Sequence, residues 1–190
     1  MSSFSRQQLE AYLKTIDVDC ESVIDIGGSQ LPINKRVRSW NVKEYVILDL
    51  ETPHEIKSLP DVTANIAWRM PTDIAQRLFT KFDVAFVIEV MEYVHNPVKA
   101  INNVANFLKK DGILYISTHE IYPVHKPTEH DCLRYTTNGI KKILSDRFEI
   151  VECIEKKIHS DYFKAGFKFE QMKSAGDMIS QGCIIKAIKK

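Results

Sequence analysis

Apolar positions along this chain recur with two different periods. Phe4, Leu9, Tyr12, Leu13 and Ile16 fall at roughly helical spacing, which predicts an N-terminal helix capped by Ser3 or Ser5. Seven other segments are short apolar or β-branched runs bounded by turn residues, the pattern of buried strands. They cover residues 22–27, 44–49, 61–65, 82–88, 113–118, 148–154 and 182–188, of which 61–65 is the weakest and 82–88 the strongest. After 82–88, Pro97 opens a helix with the apolar face Val98, Ile101, Val104, Ala105 and Leu108. Lys109, Lys110 and Gly112 supply its expected stop, with cations at the carboxyl end and glycine beyond. A further helix, capped by Thr136 or Thr137, runs through Ile140, Ile143 and Leu144. Residues 120–135 read as irregular, and 156–181 as a long polar connection.

Strands that alternate with helices need crossover connections and so imply a mostly parallel sheet. The last two strands have no helical pattern between them and are free to pair antiparallel at one edge. The expectation is an α/β fold with a seven-stranded, mostly parallel sheet, an antiparallel edge strand and helices on both faces. The 190 residues suit one domain: an N-terminal helix (1–19), a core (20–155), and a connection with the last strand (156–190). Lys and Arg number 26 against 25 Asp and Glu, so no net charge draws the molecule to nucleic acid or to an anionic membrane. The basic residues Lys156, Lys157, Lys186, Lys189 and Lys190 read as a local patch or as solvated strand ends. Cys20, Cys132, Cys153 and Cys183 are widely spaced, without a metal-knuckle or disulfide pattern. The first residues lack the apolar stretch of a signal peptide, and the longest apolar run, 84–90, is far short of the ~20 residues that span a bilayer. A cytoplasmic protein without a membrane span is expected.

Ligands of an open α/β sheet bind beyond the carboxyl ends of its strands. Polar residues collect at these ends: Asp25, Gly27, Gly28 and Ser29 after the first strand, Asp49 after the second, and Asn65 after the third. Glu89, Glu92 and Tyr93 follow the fourth, and Thr118, His119 and Glu120 the fifth. Gly27 and Gly28 remove side chains where the backbone turns and a ligand approaches. Asp49 lies about 20 residues beyond that turn, where a carboxylate accepts from the two hydroxyls of a ribose. Asn65 suits either an adenine edge or a turn. No Gly-x-Gly-x-x-Gly and no Gly-x-x-x-x-Gly-Lys-Ser/Thr is present, so a ligand without phosphates fits better than a dinucleotide or ATP.

These segments resemble class I S-adenosylmethionine-dependent methyltransferases of the Rossmann-like, type 11-like kind. Residues 23–28, Val-Ile-Asp-Ile-Gly-Gly, resemble their first motif, commonly Asp-x-Gly-x-Gly. Residues 82–97 resemble their fourth-strand segment, and 107–112 and 113–118 the turn and strand that follow; the resemblance covers about 20–155. It implies that S-adenosylmethionine, leaving as S-adenosylhomocysteine, is lined by Asp25, Gly27, Gly28 and Ser29 at its methionine and ribose. Asp49 would hold the ribose hydroxyls, Leu50, Asn65 and Ile66 would face the adenine, and Glu89 and Val90 would lie near the methionine end. The chain departs from the pattern at Ser29-Gln30, at Asn65 in place of Asp, and at Tyr93 in place of His. Ubiquinone-pathway and small-RNA 3′-end methyltransferases bind a divalent metal through Glu-x-x-Glu-His and a later His. Here Glu89 and Glu92 match, Tyr93 does not, and no metal is expected.

Residues 122–136 resemble an acceptor-facing loop of methyltransferases from sugar and cell-surface polysaccharide pathways. A hydroxyl acceptor needs its proton removed, for which a histidine near neutrality is suited. His125 and His130 are the candidates, with Asp131 either orienting them or pinning the loop through Arg134. The reading is methyl transfer to an oxygen or nitrogen of a small molecule, of the sugar or carrier-bound kind. The alternatives are a binding module without turnover and a nucleic-acid methyltransferase; near-zero net charge and the absence of an Asn/Asp-Pro-Pro-Tyr motif count against the latter. No added lid domain is evident, so cover is expected from the N-terminal helix, the 119–135 loop and the 157–181 connection; thin cover would suit a large or carrier-bound acceptor, or a homodimer partner that closes the site.

Overall fold

A computed structural model of the protein describes residues 3–51, 57–124, 129–158 and 180–190. Helix α1 (Phe4–Leu13) leads into strands β1 (Asp17–Ile26), β2 (Ser39–Asp49) and β3 (Val62–Thr63). Helix α2 (Thr72–Leu78), β4 (Phe82–Ile88), α3 (Pro97–Phe107), β5 (Leu108–Ser117), α4 (Thr137–Leu144), β6 (Phe148–Glu155) and β7 (Cys183–Lys189) follow. The strands form one seven-stranded sheet in the order β3-β2-β1-β4-β5-β7-β6. β1 to β5 pair in parallel, and β7 lies antiparallel between β5 and β6. The antiparallel pairing of the last two strands is as expected. The insertion of β7 between β5 and β6 adds a second antiparallel contact.

Local chemistry sets the helix starts. Ser3 accepts from the Arg6 N–H, Asn96 from Lys99 and Thr136 from Gly139, each supplying an acceptor to a first-turn donor. Pro97 sits in the first turn of α3, where its missing N–H costs nothing. α2 was not foreseen; it is only seven residues long and buries Leu78 alone. Lys109, Lys110 and Gly112 do not follow α3 as a separate stop, because β5 begins at Leu108 and contains them. They occupy an irregularity in the β4–β5 register, and Lys109 pairs across it with Asp83 at 2.6 Å.

The two faces of the sheet are covered unequally. α3 and α4 pack Ile101, Val104, Phe107, Ile140 and Leu144 against Ile24, Val46, Ala85, Leu114 and Ile185. On the other face α1 places Leu9 and Leu13 against Val23, Val84, Phe86 and Ile184, and the β1–β2 connection adds only a 3-10 turn, Ile33–Lys35. α1 is tied down at several points. Gln8 exchanges two hydrogen bonds with the Lys157 backbone, Tyr12 donates to Glu152 at 2.6 Å, and Arg36 grips Glu10. No described helix is long and apolar enough to cross a membrane.

Candidate functional site

β1 ends in a buried acid and a tight turn. Asp25 Oδ2 accepts from the Ile33 N–H at 2.8 Å and from the Tyr45 hydroxyl at 2.6 Å. Burial raises the Asp25 pKa to about 6, while the Tyr45 and Ile33 donors pull the other way. Gly27 has φ +75°, and a Cβ there would stand 2.5 Å from Val90 Cγ2. A Cβ on Gly28 would stand 2.4 Å from Asp25 Oδ2. The turn therefore passes too close to a β4-end residue and to its own acid to carry side chains.

β2 delivers the second acid to the same place. Asp49 Oδ2 accepts from the Ser29 N–H at 3.1 Å, and its Oδ1 from the Leu50 N–H at 2.8 Å. The Ser29 carbonyl in turn accepts from Lys57 and Ser58, joining the glycine turn to the segment after β2. Ser29 Oγ is buried without a hydrogen-bond partner among the described residues. Leu50 is half exposed beside Asp49. The sheet order explains the convergence, because β1 lies between β2 and β4 and all three run parallel.

Other expected residues take different positions. Asn65 Oδ1 accepts from the Ala67 N–H at 2.9 Å, so its oxygen builds a turn. The Ile66 side chain is buried in the core, and its carbonyl is held by Asn103. Val90 packs toward Gly27, whereas Glu89, in the left-handed region at φ +56°, meets Arg6 Nη2 at 3.2 Å and His119 Nε2 at 3.3 Å. His125 lies outside the described residues. His130 is exposed, and Asp131 is held by two bonds from Arg134, at 2.5 and 2.7 Å. The loop carrying them is fastened to the turn after β4 through Cys132 and Leu133, whose N–H groups both donate to the Glu92 carbonyl.

Sequence reasoning missed three participants. Tyr45 lies within the second apolar run, and only the β1–β2 register brings its hydroxyl to Asp25. Arg6 lies off the apolar spacing of α1, and only the fold brings it to Glu89. Lys156 read as a basic patch residue or a solvated strand end, yet it is buried, with Nζ 3.3 Å from His119 Nδ1. No local signal marks Lys156, because its burial goes with backbone bonds to Gly182 and Gln181, more than twenty residues away in sequence. Among the described residues no group of three His, Cys, Asp or Glu side chains is placed to hold a metal. A cavity of about 270 Å³ opens at the opposite, amino end of β1, β4 and β5, lined by Asp17, Asp19, Cys20, Asp83 and Lys109. It lies at the wrong end of the strands for the ligand of a parallel sheet.

Comparison with known proteins bears on this arrangement. A family model described as a methyltransferase domain matches residues 6–143. A ubiquinone biosynthesis O-methyltransferase of Glaesserella parasuis serovar 5 (strain SH0165) is 50% identical over 38 residues, 20% of this chain and 16% of that protein. Among solved structures, an S-adenosylmethionine-dependent methyltransferase from Mesorhizobium loti superposes with a TM-score of 0.57 at 14% identity, covering 98% of both chains. The N-methyltransferase NodS from Bradyrhizobium japonicum WM9 does so with a TM-score of 0.58 at 15% identity, covering 98% of this chain and 96% of its own.

Proposed function

Because the chain belongs to the family of methyltransferase domains and is thereby an S-adenosylmethionine-dependent methyltransferase, we infer that it methylates an oxygen or nitrogen of a small molecule, of the sugar or carrier-bound kind. The observation that carries the cofactor assignment is the meeting of the Gly27–Gly28 turn with Asp49 through Ser29. The cleft fits the cofactor on its own terms. Two glycines let the turn pass tightly against Val90 and the Asp25 carboxyl, Ser29 Oγ is a buried polar atom in want of a partner, and two acids stand at adjacent strand ends. When bound, the cofactor supplies a methyl group already activated on a sulfonium, so the protein's work is alignment and proton handling.

In this reading Asp25 stiffens the turn from beneath, Gly27, Gly28 and Ser29 line the methionine and ribose, and Asp49 accepts from the ribose hydroxyls. Leu50 packs against the adenine. The Asn65 turn and the Ile66 backbone bound the adenine side, with Val90 and Glu89 at the methionine end. His130, and His125 beside it in sequence, serve the acceptor as proton-accepting groups. Asp131, engaged by Arg134, orients the loop that carries His130. A ubiquinone-pathway O-methyltransferase and an N-methyltransferase among the similar proteins support an oxygen or nitrogen acceptor without choosing between them.

Calorimetric titration with S-adenosylmethionine and S-adenosylhomocysteine tests this. Hydrogen bonds to a charged group contribute about 1.5–3 kcal/mol, so Asp49→Ala should weaken both ligands by roughly 10- to 100-fold. Absence of saturable binding by the folded wild-type protein, or full affinity in Asp49→Ala, refutes the assignment.

A further inference from the structure

Four ionisable side chains from four segments meet beside the carboxyl ends of β4 and β5. Glu89 follows β4, Glu92 lies in the next turn, His119 follows β5 and Lys156 follows β6. Lys156 Nζ is 3.3 Å from His119 Nδ1 and 3.8 Å from Glu89 Oε1. His119 Nε2 is 3.3 Å from the same Glu89 oxygen, and Arg6 reaches the other. Glu92 Oε1 accepts from the His119 N–H at 2.6 Å. Glu89 Oε1 and Glu92 Oε2 are buried and lack hydrogen-bond partners among the described residues. Tyr122 stacks on the His119 ring at 3.9 Å and closes the cluster. The other charged or titratable groups that act on it are Tyr93, Tyr135, Arg134 and Cys183.

A fold does not need such a cluster. Apolar residues of similar volume usually pack as well or better than a buried ionic group. The cluster is also balanced near neutrality. Burial raises the Glu92 pKa to about 7, helped by the nearby Glu89, while burial pushes that of Lys156 down against the pull of Glu89 and Glu92. Two acids face two bases in one buried group.

Its position gives that proton a use. β4 neighbours β1, so the two strand ends lie about 4.8 Å apart. Val90, next to Glu89, packs toward Gly27. A cation at the methionine end of the cleft would therefore act on these carboxylates. Were such a unit charge within about 7 Å of a carboxylate, at an effective dielectric constant of about 20, it would change that group's proton affinity by on the order of fifty-fold.

We propose that Glu89, Glu92, His119 and Lys156 form a charge-compensating proton site that lacks one proton opposite the sulfonium of S-adenosylmethionine and holds it, on the Glu92 carboxyl, opposite the neutral sulfur of S-adenosylhomocysteine. This rests on the cofactor assignment above. In methyl transfer the C–S bond breaks with its electron pair left on sulfur, and the acceptor's nucleophilic atom bonds carbon with its own lone pair. The X–H bond then breaks, its proton leaves through the acceptor-loop histidine to solvent, and Glu92 takes up one proton that offsets the positive charge lost at sulfur. The interior of the site keeps one net charge throughout, which spares it a change in solvation at the moment of reaction.

The test needs no acceptor. If the S-adenosylhomocysteine complex holds one more proton, falling pH favours that ligand. The ratio Kd(S-adenosylhomocysteine)/Kd(S-adenosylmethionine) of the wild-type protein should then rise with pH, by about fivefold per pH unit between about pH 5.5 and 7. Glu92→Gln should flatten this dependence to what the free ligands contribute. In wild type, an infrared difference spectrum between the two complexes, with isotopically labelled glutamate, should show a protonated carboxyl gained with S-adenosylhomocysteine. That measurement stands even if the variant does not fold. Tight binding of both ligands with a pH-independent ratio and no carboxyl band overturns the proton site and leaves the cofactor assignment intact. Failure of both ligands to bind overturns the two together.

Discussion

Asp25→Asn tests the physics of the cleft most directly. The Asp25 carboxyl is nearly inaccessible to solvent and accepts from Tyr45 and Ile33 on the same oxygen. Burial outweighs these donors and moves its pKa from 3.8 to about 6. The sign follows. Between these values the unfolded chain has lost its proton while the folded protein keeps one, so stability falls as pH rises through this window and is flat above it. At 1.36 kcal/mol for each tenfold change in proton affinity, the ionised carboxylate costs about 3 kcal/mol above the window. An asparagine retains the accepting oxygen and removes the charge, but it leaves an amide without an assured partner, which costs about 1 kcal/mol. The variant should therefore be more stable than wild type by about 2 kcal/mol at about pH 7.5, or roughly 4–8 °C in Tm for a chain of this size. The advantage should disappear near pH 4. Urea denaturation of both proteins across this range reads the difference directly, and cofactor titration alongside it should show weaker binding in the more stable variant. A variant less stable than wild type at about pH 7.5, or a gap independent of pH, refutes the account of Asp25 as a buried acid held ionised at a cost.

Other substitutions probe neighbouring contacts. Gly28→Ala brings a Cβ within 2.4 Å of Asp25 Oδ2; denaturation should show a loss of about 1–3 kcal/mol, and calorimetry the loss of cofactor binding. Tyr45→Phe removes a 2.6 Å donor from the buried carboxylate, costing about 1–3 kcal/mol at neutral pH and moving the pH-dependent fall in stability upward; an unchanged pH profile would contradict the role given to the hydroxyl. Arg134→Met strips both bonds from Asp131; with Arg134 itself about a quarter exposed, denaturation should register about 1–2 kcal/mol. His130→Ala, at an exposed position, should leave stability within about 0.5 kcal/mol and cofactor affinity unchanged, while turnover on an accepted substrate falls by about 100-fold or more.

What was legible in the sequence was the set of strands buried on both faces and the residues at their carboxyl ends. β4 coincides with its apolar run, and Asp25, the glycine turn and Asp49 are brought together as the spacing implied. The amino halves of β1 and β2 were missed because they alternate, as in Asp17-Val18-Asp19 and Trp40-Asn41-Val42, with one face toward solvent. A search for continuous apolar runs passes over such segments. β3 shrinks to two residues at the open edge, where a single parallel neighbour supplies all its pairing. Lys156 was illegible for a different reason. Nothing local distinguishes a lysine that trails a strand into water from one drawn inward by partners just after β4 and β5 and just before β7.

The two buried acids of the site, Asp25 and Glu92, are raised by the same cause and placed for different ends. Asp25 keeps two donors on one oxygen and has an acidic pKa of about 6, so it is ionised at neutral pH whichever form of the cofactor is present. Glu92 is held by the His119 N–H and by its own backbone N–H, stands beside a second carboxylate, and has a pKa of about 7, so a modest change in local charge decides its state. Exchanging these environments would be nearly neutral for packing, since each acid is enclosed in the same sheet. For chemistry it would not be neutral. The acid beneath the glycine turn must hold the backbone still throughout the reaction, whereas the acid beside β4 is useful only if it can change. The neighbours of each carboxylate are what separate a fixed charge from a proton store: Asp25 is held by Tyr45 and the turn's backbone, whereas Glu92 stands beside the Glu89 carboxylate and the buried Lys156.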